Sequence, residues 1–268
     1  MKVRKKEYDV VRFPLERSLI VDSMRISNRK RVIHGLLEVD VTEVRTYMRE
    51  HKARTGERLS FTAFILACLG KAVDEHKIVH AYRDRRQRLV LFEEVDVTTM
   101  IEIKLGDQKF PYAHIVRAAN RRNYRELHDE IRAVQSGQGI RESQEQWKFM
   151  RWFLLLPPFL RDIAYRFWLG NPHLVKARIG TVGLTAVGMF GEGAGWGLSN
   201  PIYTLGVMVG GISAKPWAVD GRIEIREILN LTVGFDHDIV DGAPAARFTK
   251  RLKELIEVGY GPMESNTQ

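Results

Sequence analysis

The chain has 268 residues, 44% apolar and 28% charged, which is enough to bury a substantial core and excludes a disordered or fibrous chain. Lysine and arginine number 42 against 33 aspartates and glutamates, and the excess is local. Residues 1–36 carry ten basic and four acidic side chains and residues 137–178 carry seven and three, so the remainder is close to neutral. A single cysteine, Cys68, excludes a disulfide framework and a cysteine zinc site, and its place in the apolar run FTAFILACLG predicts a buried thiol.

The basic N-terminus has no continuous apolar stretch behind it, so no secretory signal is expected and a cytoplasmic location is inferred. Periods of 2 and 3.6 interleave along the chain, which predicts an α/β two-layer sandwich, a mixed β-sheet flanked by helices. GLLEVDV (35–41) reads as a strand, followed by a helix capped by Thr42 and running to about Lys52. Ser60 caps a second helix, Phe61 to about Glu75. Strands are expected near Ile78–Tyr82, Arg88–Phe92 and Val95–Ile103, and a charged helix over Asn123–Val134.

From Gln144 to about Leu169 the chain is aromatic, apolar and basic and holds three of the five tryptophans. Its charges and the break at Pro157 and Pro158 argue against a membrane span. TVGLTAVG, YTLGVMVGGIS and RIEIREILNLTVGF then read as strands, the last two joined by a turn at AVDGR. Leu229, Leu231, Val233 and Phe235 alternate with Asn230, Thr232, Gly234 and Asp236, the pattern of a half-buried strand. The final helix starts near Gly242–Pro244 and turns Ala245, Phe248, Leu252 and Leu255 inward.

GxSxG, the phosphate-binding GxxxxGK[ST] and the zinc motif HExxH are all missing, and GEGAGWG (191–197) does not satisfy GxGxxG. That glycine cluster predicts a loop whose backbone passes close to another segment. His76 and His80 stand four apart but lack a suitably spaced carboxylate, so no metal site is expected. His237, in FDHDIVDG, stands where a strand gives way to a helix, a place that exposes a side chain on a rigid backbone and suits a general base. A plainer reading accounts for the same residues: a histidine in a polar turn, with Asp241 capping the next helix.

The stretch LNLTVGFDHDIVDGAPAARFTKRLKELIE resembles the C-terminal signature of the dihydrolipoyl acyltransferase core of 2-oxoacid dehydrogenase complexes, a strand followed by Asp-His-Arg-x-x-Asp-Gly and an amphipathic helix. GTVGLTAVGMFG, YTLGVMVGGISAKPWAVDGRIEIRE and LLEVDVTEVRTYMRE resemble further segments of that family, so the likeness covers roughly residues 35–258. It implies a chloramphenicol acetyltransferase-like fold, 35–268 as catalytic domain behind a basic arm (1–34), and a homotrimer with active sites between subunits. It also implies His237 as general base, Thr185 as donor to the tetrahedral oxyanion and Asp241 as support of the histidine turn. The reaction implied moves a small acyl group between acyl-CoA, so coenzyme A, and either a dihydrolipoyl-like or pantetheine-like thiol, for which a separate lipoyl carrier protein is one source, or another nucleophilic acceptor, an amine or hydroxyl.

Three departures stand out. Asp238 replaces the family's Arg, Ala186 follows Thr185 where Asn is usual, and Val182-Gly183 replace Phe-Thr. The length is taken up by the core, leaving no lipoyl domain, and the polar tail favours an isolated trimer over a cage. The segment 138–176 is longer than the family's connection by roughly two dozen residues. It reads either as extra core on the trimer or as a channel-mouth element or, through 144–170, a peripheral membrane contact. A trimeric scaffold without catalysis is the alternative to the enzyme, and the basic residues follow no nucleic-acid recognition motif.

Overall fold

A computed structural model describes residues 8–263 apart from 16, 106–107, 138–151 and 187–192. Trp147 and the first part of the aromatic segment, together with Gly191 and Glu192 of the glycine cluster, therefore lie outside the described residues. The elements in chain order are α1 (Arg17–Ser27), β1 (Val32–Asp40), α2 (Thr42–Thr55), α3 (Phe61–Glu75), β2 (Tyr82–Arg83), β3 (Leu89–Val90), β4 (Val97–Leu105), β5 (Gln108–Val116), α4 (Tyr124–Gln135), α5 (Pro158–Leu169), α6 (Pro172–Ile179), β6 (Val182–Ala186), β7 (Leu205–Val219), β8 (Arg222–Asp236) and α7 (Gly242–Glu257).

Six strands form one mixed sheet in the order β1-β8-β7-β6-β4-β5. Both β4–β6 and β6–β7 are parallel and the other pairs antiparallel, with β7 and β8 joined by a tight turn at Asp220 and Gly221. The expected sandwich is therefore present. Helix α3, whose residues from Ala63 to Gly70 are all buried, packs between α4 and α7, while α4 lies on β4, α7 on β1 and α2 on β8. Phe235 of β8 meets Phe248 of α7 edge-on at 5.8 Å, and Cys68 is a fully buried thiol.

Local signals explain most boundaries. Ser60 accepts a bond from the Ala63 amide at 3.2 Å, and Asn123 with Glu126 closes a full capping box on α4. Thr42 does not cap α2. The capping position is Val41, and the Thr42 hydroxyl donates to Asp40 Oδ1 at 2.6 Å, which locks the end of β1 to the helix start. The strand expected over Ile78–Tyr82 is mostly a 3₁₀ turn, Lys77–His80, which buries Val79 and His80. Strand β5 was not expected, because Pro111 weakens its strand pattern; the sheet tolerates it on an edge.

Strand β8 is buried on both faces from Ile228 to Asp236 and not on one, so Asn230 and Thr232 are interior. The second cover is the loop around Gly193–Tyr203. A Cβ on Gly210 would lie 2.2 Å from the Gly195 carbonyl oxygen, so the glycine cluster does mark a close backbone approach.

Two buried charge clusters fasten the outer helices. Arg117 and Lys176 reach Asp96 at 2.8 and 2.9 Å, tying α6 to the start of β4. Burial alone would raise the Asp96 carboxyl, but the Ala118 amide, Arg117 and Lys176 outweigh it and hold the group below its ordinary value. Asp22 of α1 and Arg161 of α5, both buried, pair at 2.8 Å, and Asp162 pairs with Arg25 and Arg29 at 2.9 and 3.0 Å. The basic arm of the sequence and the aromatic segment are thus joined to each other.

His80 is completely buried, with Nε2 donating to the Phe92 carbonyl at 3.2 Å and Nδ1 3.1 Å from the Thr181 hydroxyl. Burial pushes its imidazole down to about 4. The unfolded chain takes up this proton near pH 6.5 and the folded chain only near 4, so stability is lost as pH falls through that window, by about 3 kcal/mol in full. Urea unfolding at about pH 7 and about pH 4.5 should show a drop that His80→Asn reduces by most of that amount; an equal drop in the variant would contradict this assignment.

Candidate active site

The end of β8 carries His237 on a tight turn whose backbone is pinned at every step. The Asp236 amide donates to the Thr204 carbonyl at 2.9 Å, the His237 amide to the Arg31 carbonyl at 2.7 Å, and the Ile239 and Val240 amides to the Asp236 carbonyl at 3.0 Å. The Asp236 carboxylate is buried and paired with Lys30 Nζ at 3.0 Å, and it accepts the Asp238 amide at 3.2 Å. Lys30 also donates to the Tyr203 carbonyl at 3.0 Å, and burial lowers its ammonium from the ordinary lysine value despite Asp236.

Asp238 is met by Arg31 at 2.8 Å and by Arg83 at 3.8 Å. The two carboxylates flanking His237 are therefore spent on cations from other elements, and positive charge stands beside the turn although residue 238 is acidic. The His237 side chain is 44% exposed, and its ion-pair partner among the described residues is Asp241, at 3.8 Å. Asp241 occupies the capping position of α7 without a side-chain capping bond and is 85% exposed, so it does not serve as the helix cap.

Thr185 sits elsewhere. It opens onto a cavity of about 80 Å³ on the sheet face turned away from α3, with His34, Tyr203, Met208 and Thr232. Strand register sets Thr185 beside Met208 and Met208 beside Thr232. His237 lies five residues beyond Thr232, so within one chain it stands two strands across and roughly 15 Å along from Thr185. The structure does not bring these two residues together in a single chain.

Gly183 explains one departure in the sequence. A Cβ there would lie 2.5 Å from the Tyr203 ring, which rests on β6 in the space a side chain would take. Tyr203 is largely buried, which raises its phenol above the ordinary value, partly opposed by a bond with Thr98. His34, Tyr203 and Lys30 were not singled out from the sequence. His34 is legible only as one alternating position of β1, and Lys30 carries no local motif. His80 and His76 are structural, His76 edge-on to Phe248, and among the described residues no group of three metal-ligating side chains occurs.

This architecture is that of dihydrolipoamide acetyltransferase catalytic cores. A probable dihydrolipoamide acetyltransferase from Listeria monocytogenes superposes with a TM-score of 0.68 at 19% identity, covering 95% of this chain and 96% of that one. The dihydrolipoamide acetyltransferase of Azotobacter vinelandii, studied for the role of a serine, a histidine and an asparagine in its catalytic mechanism, gives 0.68 at 18% identity over 98% of each chain.

Residues 173–263 match the family model of the 2-oxoacid dehydrogenases acyltransferase catalytic domain. The acetyltransferase component of the Zymomonas mobilis pyruvate dehydrogenase complex is 34% identical over 82 residues, 31% of this chain and 19% of the relative. The chain spans about half or less of the length of the curated relatives it matches. The resemblance read in the sequence to the acyltransferase core is thereby borne out.

Because Lys30 and Asp236 are paired away from water, removing one partner strands the other. Lys30→Met should cost about 3 kcal/mol in urea unfolding. Adding Asp236→Asn should recover part of the loss, and an unchanged midpoint for Lys30→Met would show that the pair does not hold the turn.

Proposed function

We propose that the protein is a CoA-dependent acyltransferase that passes an acyl group between acyl-CoA and a dihydrolipoyl-like thiol, working in the cytoplasm as a homotrimer with a separate lipoyl carrier protein. The observation that carries this reading is one of spacing. In the Azotobacter enzyme the serine precedes the histidine by 52 positions and the asparagine follows it by four; Thr185, His237 and Asp241 keep both intervals.

The separation of Thr185 from His237 supports a site shared by two chains. His237, exposed at the strand end, faces a neighbour's Thr185 at its cavity, and neither chain is competent alone. The incoming thiol gives its proton to the His237 imidazole, and the thiolate attacks the thioester carbonyl carbon. The carbonyl oxygen becomes an oxyanion that accepts a bond from the Thr185 hydroxyl. Collapse breaks the bond to the CoA sulfur, which takes the proton back from His237, so the enzyme ends as it began. Asp241, exposed and 3.8 Å from the ring, keeps a negative charge beside the imidazolium formed in passing. A non-catalytic scaffold has no need of Thr185 and His237 at these intervals.

With acetyl-CoA and other short acyl-CoA thioesters against dihydrolipoamide, the wild type should turn over. His237→Ala should lose about 10²–10⁴-fold in kcat/KM. Thr185→Val should lose about 10²-fold or more, mainly in kcat. Absence of turnover across the acyl-CoA and acceptor panel, or full activity in His237→Ala, would leave the scaffold reading.

A further inference from the structure

Helix α5 is inverted relative to an ordinary surface helix. Two of its three charged residues face the protein: Arg161 is buried on Asp22 and donates to the Leu154 and Leu156 carbonyls at 2.8 and 3.0 Å, and Asp162 is held by Arg25 and Arg29, while Arg166 is exposed. Its apolar residues face out. Phe159, Ile163 and Phe167, at i, i+4 and i+8 on one face, are 63%, 62% and 66% exposed. A helix in contact with water gains by the opposite arrangement, because each exposed phenyl or isoleucine forgoes the transfer energy that burial would return.

The surroundings say what covers this face. Phe167 forms one wall of an open cavity of about 270 Å³ whose other walls include Arg85, Arg86, Arg88 and His173. Arg85 lies over the Phe167 ring at 4.2 Å and donates to its carbonyl, and Arg88 is paired with Asp84 at 2.8 Å. Arg86 and Arg166 are exposed beside them. The acidic groups here, Asp84 and Asp162, are both paired with arginines, so the apolar stripe is bordered by net positive charge. A second copy of the same face would bring arginines against arginines, which opposes an isologous contact of this face with itself.

We propose that α5 is an interfacial anchor that lays the protein on an anionic phospholipid bilayer. Phe159, Ile163 and Phe167 enter the boundary between headgroups and acyl chains, while the cavity of Arg85 and Arg86 takes a lipid phosphate. No helix among the described residues is long and apolar enough to cross a membrane, and α5, at 12 residues, has the length to lie in the interface. The ion pairs of α1 with α5 give the anchor rigidity, since they fix which face is presented.

The full-length protein should co-sediment with vesicles of phosphatidylglycerol and phosphatidylcholine, with binding weakened by salt, and not with phosphatidylcholine alone. Combining Phe159→Ser with Ile163→Ser, both on the exposed face, should lower partitioning about tenfold or more, and Arg86→Glu should lower it as well. The sedimentation mass of both variants should equal that of the wild type. Failure of the wild type to bind, equal binding to both kinds of vesicle, or undiminished binding by the Phe159/Ile163 variant would overturn the proposal. A changed mass in that variant would overturn it too, since the face would then be a contact between copies.

Discussion

The register of β6, β7 and β8 governs what this molecule can do. Three backbone pairings, Val182 with Leu205, Thr185 with Met208 and Met208 with Thr232, fix the height of Thr185 on the sheet to within a residue. A one-residue slip would turn Thr185 to the helix side and expose Leu184, which is buried, so the hydrophobic core enforces the placement. The same register ends β8 at Asp236 and throws His237 clear of the sheet. His237 and Thr185 are thereby held apart in one chain, so the proposed chemistry, which uses both, has to be built between chains.

Charge plays a different part here from the one its total suggests. A net +9 would ordinarily point to an acidic partner. Several cations are instead neutralised inside the protein by acidic partners, which leaves that excess almost unchanged: Lys30 by Asp236 beneath the histidine turn, Arg117 and Lys176 by Asp96 beneath α6, and Arg161 by Asp22 between α1 and α5. Such buried pairs add little net stability but are costly to break, so they specify geometry more than they strengthen the fold. Part of the excess stands at Arg85, Arg86 and Arg166, beside the apolar stripe of α5.

The sequence was most legible where one physical signal dominated. The apolar run of α3 with its Ser60 cap and the charged stretch from Asn123 located helices to within a residue or two, and the FDHDIVDG turn located His237. Legibility failed where tertiary contacts overrode the local pattern. The alternation in β8 implied one wet face, yet the loop from Gly193 covers it, and nothing near Asn230 announces a cover delivered from thirty-odd residues upstream. Pro111 hid an edge strand, and a buried histidine hid a 3₁₀ turn. Helix α1 is illegible because its buried residues are polar, Asp22 and Ser27, and Asp22 is interior where Arg161 and Arg25 meet it. The role of Gly183 was illegible for the same reason, since the ring that fills its space belongs to Tyr203.

The most direct test of the central claim, that Thr185 and His237 act from different chains, is acyl transfer by assemblies refolded from equal amounts of His237→Ala and Thr185→Val chains. Each variant alone has no intact site. In random mixtures about a quarter of the sites should unite a wild-type histidine with a wild-type threonine and recover activity in that proportion, as a cyclic head-to-tail assembly requires. Activity in the mixture no greater than the sum of the two separate variants, with mixed assemblies verified by mass, would contradict the account.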